Sequence, residues 1–289
     1  MRGLGTTTRP TGEASVTSGW IEGDIEVAGS RFHYVRTGDG SQPTMVLAHG
    51  FSDDGGCWAR LAGDLDGDYD VVMPDARAHG RSARVRPGQK VDQAADLAGV
   101  LRALGIEKAV VIGHSMGAWT VSELAARYPD LVGPLILEDV PWRDPEPGSK
   151  RPSLLGKDSP RATAMRALHR HTLDEIVDRE RVVHPTWRDD VLRTWCAAKL
   201  RLDLAFFEIA GMGRMDRHEV IAAIACPTLL ITADPELGGI VRPEMATQAS
   251  AANPLIQVCN IPGVGHHVRF EAYGTYLAAV REFLGSLAL

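Results

Sequence analysis

The chain opens without a pattern. The first twenty residues are rich in Gly, Thr and Ser and read as a flexible tail. From Ile25 onward, short β-rich runs alternate with stretches of helical periodicity. Ile25–Val27 and Phe32–Val35 flank Ala28-Gly29-Ser30 and predict a hairpin. The continuous apolar run Thr44–Ala48 predicts a strand covered on both faces, and Tyr69–Met73 another. Helical spacing marks Trp58–Leu65, then Asp92–Leu104, which stops at Gly105. Lys108–Gly113 predicts a strand, Met116–Tyr128 a helix ended by Pro129, and Pro134–Leu137 a strand. Such a β-α-β-α rhythm implies a largely parallel sheet with helices on both faces.

The rhythm breaks at Pro141. A Pro-rich connector leads into helical stretches at Arg161–His171, Leu173–Arg181 and Asp189–Ile209, with no strand before His218. It resumes with a strand at Pro227–Thr232, a helix near Pro243–Ala251, a strand at Leu255–Ile261 and a closing helix at Glu271–Leu284. The reading is a core at 21–140 and 219–289, interrupted by a helical cap at 141–218 where strand ends would leave a crevice.

Composition narrows the function. With 289 residues, 44% hydrophobic and 24% charged, the chain can bury a large core and is not disordered. A net charge of −6 argues against a nucleic-acid partner. Four dispersed cysteines offer neither a zinc nor a redox spacing, and the histidines lack the His-Glu-x-x-His pattern, so no metal is expected. The tail lacks an apolar signal region, and no run approaches the roughly 18 residues of a membrane span. A cytoplasmic monomer or homodimer acting on a small molecule, with no cofactor and no membrane, is the expectation.

Gly113-His114-Ser115-Met116-Gly117 matches G-x-S-x-G between a predicted strand and a predicted helix, the setting of a nucleophile elbow. A serine hydroxyl needs a base held by an acid. His266, in the loop between the last strand and last helix, is the candidate base, with His267 as the alternative. Asp234, after the strand Pro227–Thr232, is the candidate acid; Glu236 beside it, and Glu138 or Asp139 after the preceding strand, are the alternatives. Oxyanion donors are expected from the backbone N–H groups of Met116 and Phe51. His49 reads as a brace for the Phe51 loop.

These motifs together resemble the α/β-hydrolase superfamily in its cap-bearing branch: HGF at His49–Phe51, PDARAHGRS at Pro74–Ser82, GHSMG, ITAD at Ile231–Asp234 and GHH at Gly265–His267. Ala78 departs from the usual glycine of the second motif, and the acid loop lacks the glycine of G-x-x-D. The resemblance implies an α/β-hydrolase fold and, with Ser rather than Asp at 115, a serine esterase forming an acyl-enzyme. Lactone, amide or C–C hydrolysis and a slowly turning-over receptor are the alternatives. Residues 141–218 carry 15 Lys/Arg against 12 Asp/Glu, and three of the six tryptophans. Trp142, Trp187, Trp195 and Met212 are accordingly candidate pocket residues for an aromatic or carboxylate-bearing ester such as a phthalate monoester.

Overall fold

The computed structural model describes residues 19–142 and 156–287; most of the expected tail and of the Pro-rich connector lies outside them. The hairpin joins β1 (Ile21–Val27) to β2 (Ser30–Arg36), both longer than the pattern predicted. Val27 pairs directly with Ser30, so the turn is only Ala28-Gly29, both at positive φ (48° and 73°). That geometry matches the right-handed twist of the flanking strands.

There follow β3 (Thr44–Ala48), α1 (Ala59–Leu65), β4 (Asp70–Pro74), α2 (Gln93–Ala103), β5 (Ala109–His114), α3 (Met116–Arg127) and β6 (Val132–Glu138). Asp92 caps α2 through the Ala95 amide, and Gly105 beyond its end takes φ +70°. The helical insertion then supplies α4 (Pro160–Leu168), α5 (Leu173–Val183) and α6 (Asp189–Leu200). α7 (Arg217–Ala223), β7 (Thr228–Thr232), α8 (Pro243–Ala252), β8 (Ile256–Asn260), α9 (Val268–Glu271) and α10 (Tyr273–Ser286) complete the chain.

The eight strands form one sheet in the order β1-β2-β4-β3-β5-β6-β7-β8. Pairings from β4 through to β8 are parallel, and β1 and β2 add an antiparallel edge. Strand residues alternate between two cores. Val46, Val111 and Leu135 face one that includes α3 residues, whereas Leu47, Ile112 and Ile136 face another closed by α1 and α10. The apolar runs of β3, β4 and β5 are buried throughout or nearly so, as central parallel strands require.

Two predicted helices are broken. Asp189–Ile209 divides into α6 and a 3₁₀ turn at Leu204–Glu208, because Asp203 caps the Ala205 amide and donates its own N–H to Ala78 O. The closing helix divides at Ala272, whose φ of −131° is not helical. α7 was not foreseen; the side chain of Asp216 caps it through the His218 amide.

Candidate active site

Ser115 occupies the sharp turn between β5 and α3 at φ +53°, ψ −117°. A non-glycine residue held in that region costs on the order of 1–3 kcal/mol, so the surrounding structure must enforce it. It does so through close backbone approach. A Cβ on Gly117 would lie 2.2 Å from Ala48 O, and one on Gly113 would lie 2.6 Å from Gly117 O. Only glycine fits either position, which is the physical basis of the G-x-S-x-G spacing. The Ser115 amide donates to Glu138 O at 3.0 Å, anchoring the turn to the end of β6.

Met116 begins α3, where the first amides have no intrahelical acceptor. The loop after β3 packs on the same turn. His49 Nδ1–H donates to Gly50 O at 2.8 Å, and its Nε2 accepts from the Ala76 amide at 2.9 Å. Both nitrogens are thus committed to loop backbone, and His49 braces the segment that carries Phe51. The Phe51 ring packs with Met116 and Phe206.

The structure pairs His266 with Asp139, correcting the expectation for Asp234. His266 Nδ1 lies 2.6 Å from Asp139 Oδ2, and that carboxylate is fully buried. Asp139 follows β6 at φ +44° and also accepts the Ile240 and Val241 amides at 2.9–3.0 Å. With Nδ1–H donated to Asp139, the tautomer assigned to His266 leaves Nε2 free to accept a proton. Asp234 lies elsewhere. Its carboxylate accepts the Gly263 amide at 2.7 Å and its backbone closes the turn Pro235–Gly239, so it splints the loops rather than holding His266. Glu236 is exposed. Glu138 is buried and bonded to Arg269, through the backbone N–H and the guanidinium, each at 3.0 Å.

Beneath the histidine loop lies a charged cluster that sequence reasoning missed. Asp53, 1% exposed, has Arg269 at 3.7 Å and Lys199 and His114 at 3.8 Å, all beyond hydrogen-bond distance. His114 Nε2–H donates to His266 O at 3.0 Å, tying the elbow to the histidine loop. Burial, reinforced by the Arg269 charge, pushes the His114 imidazole well below its ordinary value. Burial also lowers His267, with the neighbouring His266 and Arg269 charges next in effect. Burial raises the Glu138 carboxyl, against the opposing Arg269 charge. Charged side chains at such low exposure leave no trace in a hydropathy pattern.

Of the candidate pocket residues, Trp187 and Trp195 meet His267 edge-on, with ring centroids 5.3 and 5.5 Å away. Met212 packs with the cluster containing Met116 and Phe206. Trp142 instead joins the core that also holds Trp119 and α7 residues. Among the described residues, no group of three His, Cys, Asp or Glu side chains is placed to hold a metal ion, and no helix is long and apolar enough to cross a membrane.

A strained serine on a strand-to-helix turn of a mostly parallel eight-stranded sheet, with a histidine bonded to a buried acid just past the next strand, defines the α/β-hydrolase class. The chain belongs to the alpha/beta hydrolase family, whose model matches residues 45–280, and it is a hydrolase. N-formylmaleamate deformylase of Pseudomonas putida is 27% identical over 276 residues, covering 91% of this chain and 96% of that one. Epoxide hydrolase 4 of Mus musculus is 34% identical over 120 residues, 40% of this chain and a third of that protein's length (33%). The crystal structure of the enol-lactonase from Burkholderia xenovorans aligns at TM-score 0.71 and 22% identity, over 91% of this chain and all of that one (100%), a likeness of fold.

Proposed function

We propose that this hydrolase is a serine esterase that forms an acyl-enzyme on Ser115, with His266 as general base and Asp139 as the acid that holds it. The observation that carries this reading is the 2.6 Å contact between His266 Nδ1 and buried Asp139 on a loop tied to the serine turn. Ser115 Oγ gives its proton to His266 Nε2 as it attacks the acyl carbon. The backbone N–H groups of Phe51 and Met116 receive the negative charge that develops on the carbonyl oxygen. The protonated His266 returns the proton to the departing alcohol. Water, deprotonated by the same nitrogen, then cleaves the acyl-serine bond and releases the acid. Asp139 keeps the imidazole oriented and stabilises the imidazolium.

The inserted helices cap this site, and the substrate is an ester carrying an apolar or aromatic body and a carboxylate. Trp187 and Trp195 against the His267 ring support the aromatic part. The excess of Lys and Arg in the insertion supports the anionic part. Several relatives are named for carboxylate substrates, among them N-formylmaleamate and 2-(acetamidomethylene)succinate. The deformylase name also favours a second reading, hydrolysis of an amide through the same acyl-enzyme.

A fluorophosphonate probe tests the nucleophile. Stoichiometric labelling at Ser115, lost in Ser115→Ala, is the expected result. Absence of labelling in well-folded protein rejects the serine-hydrolase reading. Rates on matched ester and amide pairs then decide between the two acyl groups.

A further inference from the structure

Arg269 is 2% exposed and stands three residues beyond His266, on the short helix α9. Its guanidinium carbon lies 4.0 Å from the centroid of the Trp58 ring and 4.3 Å from that of Phe270, so the group is held against aromatic surface. Two buried acids face it. Glu138 Oε2 accepts from Nη1, and Glu138 Oε1 from the Arg269 backbone N–H, each at 3.0 Å. Asp53 Oδ2 lies 3.7 Å from Nη2. Burial works against the cation, but Glu138 and then Asp53 hold it above the usual arginine range.

Each acid belongs to a different part of the proposed machinery. Glu138 ends β6 directly before Asp139, and its backbone O accepts the Ser115 amide. Asp53 lies two residues beyond Phe51, in the loop after β3. Arg269 itself follows the loop that carries His266, and His114 Nε2–H ties that loop back to the serine turn through His266 O. The guanidinium therefore meets the loops of the acid, the oxyanion donor and the base at one point. An ion pair buried this deeply adds little stability over apolar residues of the same volume. What a planar guanidinium does supply is direction, because its N–H groups stand at fixed angles to one another.

We infer that Arg269 is a positioning residue, which keeps His266 in line with Ser115 by fixing the histidine loop to Glu138 at the end of β6 and to Asp53 in the loop after β3. The inference rests on the serine-hydrolase reading and adds to it a residue that acts through His266 rather than on the substrate. Lysine at position 269 would keep the buried cation and the backbone bond to Glu138. A single ammonium cannot keep the angle between the bond to Glu138 and the approach to Asp53. Lys199, 3.8 Å from Asp53, leaves that acid a second cation in any variant of Arg269.

Arg269→Lys separates direction from charge. With p-nitrophenyl acetate it should lose at least about tenfold in kcat while KM stays within about threefold, at a urea midpoint close to the native one. Arg269→Ala should lose more, and millimolar guanidinium chloride should restore its kcat at least about tenfold where sodium chloride at the same concentration does not. An unchanged kcat, a loss carried by KM, or sodium chloride matching guanidinium overturns the positioning role. So does a collapsed urea midpoint in Arg269→Lys, since the arginine would then serve the fold itself. Hydrogen exchange reads the loop without any chemistry. Amides of residues 263–272 should exchange at least about tenfold faster in Arg269→Lys than in the native protein. Faster exchange in a protein whose native form no fluorophosphonate labels rejects only the esterase. Native-like exchange rejects the positioning role whether or not Ser115 is labelled.

Discussion

Asp139 and Asp234 differ in what surrounds their carboxylates, and that difference decides their roles. Three donors converge on Asp139 in a site closed to water, and one of them is the imidazole N–H. Asp234 is half-buried and engages one loop amide. Asp139→Asn is therefore expected to lower kcat by about 10⁴-fold, because an amide favours the wrong imidazole tautomer. Asp234→Asn should leave kcat within about threefold and cost about 1 kcal/mol of stability through the Gly263 contact. Steady-state rates and urea midpoints on both variants check this, and the opposite pattern of rates would restore Asp234. Sequence order placed either acid correctly between serine and histidine. What it lacked was the alignment of strand ends, which sets His114 beside Glu138, with Asp139 the next residue along. The serine needed no such information, since Gly113 and Gly117 mark the close backbone approach directly.

Between elements, the C-terminal end of α6 grips the loop after β3. Lys199 donates to Ser52 Oγ at 3.3 Å and lies 3.8 Å from Asp53, while Arg201 Nε donates to Asp54 at 2.6 Å. The Lys199 ammonium also sits 3.4 Å from the Trp195 ring centroid. The insertion thereby fixes the segment that presents Phe51. Lys199→Met removes one of the two buried cations beside Asp53 and leaves Arg269 as the other, so it should cost about 1–3 kcal/mol and slow hydrolysis together. Adding Asp53→Asn should recover at least about 1 kcal/mol of that loss, a coupling read by a double-mutant cycle of unfolding free energies. Strictly additive losses would mean that Lys199 acts through its Ser52 and Trp195 contacts and not through Asp53. The helix α6 itself was legible from its apolar spacing. Its early end was not, because Leu200 is followed by a turn whose capping acid, Asp203, is defined by a bond to distant Ala78. α7 was hidden for a related reason, being only seven residues long between two loops.

Across the whole molecule, the net charge of −6 says little about acid behaviour, because the groups that govern it are enclosed. His79, His114 and His267 are held neutral by burial; for His79 burial outweighs all else and takes the imidazole down to about 3. Unfolding frees each of them to titrate near 6.5. Between that value and the folded one, the unfolded chain binds more protons, so stability present above about pH 6.5 is lost as pH falls. The slope is about 1.4 kcal/mol per pH unit for each proton taken up on unfolding. Glu138 works in the opposite direction, since burial raises its carboxyl above the ordinary range. The histidine contribution is isolated by comparing the native protein with His79→Phe, in which Glu138 is unchanged. His79 stands among aromatic rings, 5.2 Å from the Phe206 centroid and 5.8 Å from that of Phe51, so a phenyl ring suits its surroundings. Urea unfolding at pH 5.0, 5.5 and 6.0 should show His79→Phe losing stability less steeply than the native protein, by close to one proton's worth of slope. Parallel slopes would mean that His79 is already protonated in the folded state, and the acid sensitivity would then lie with His114 and His267 beneath the site.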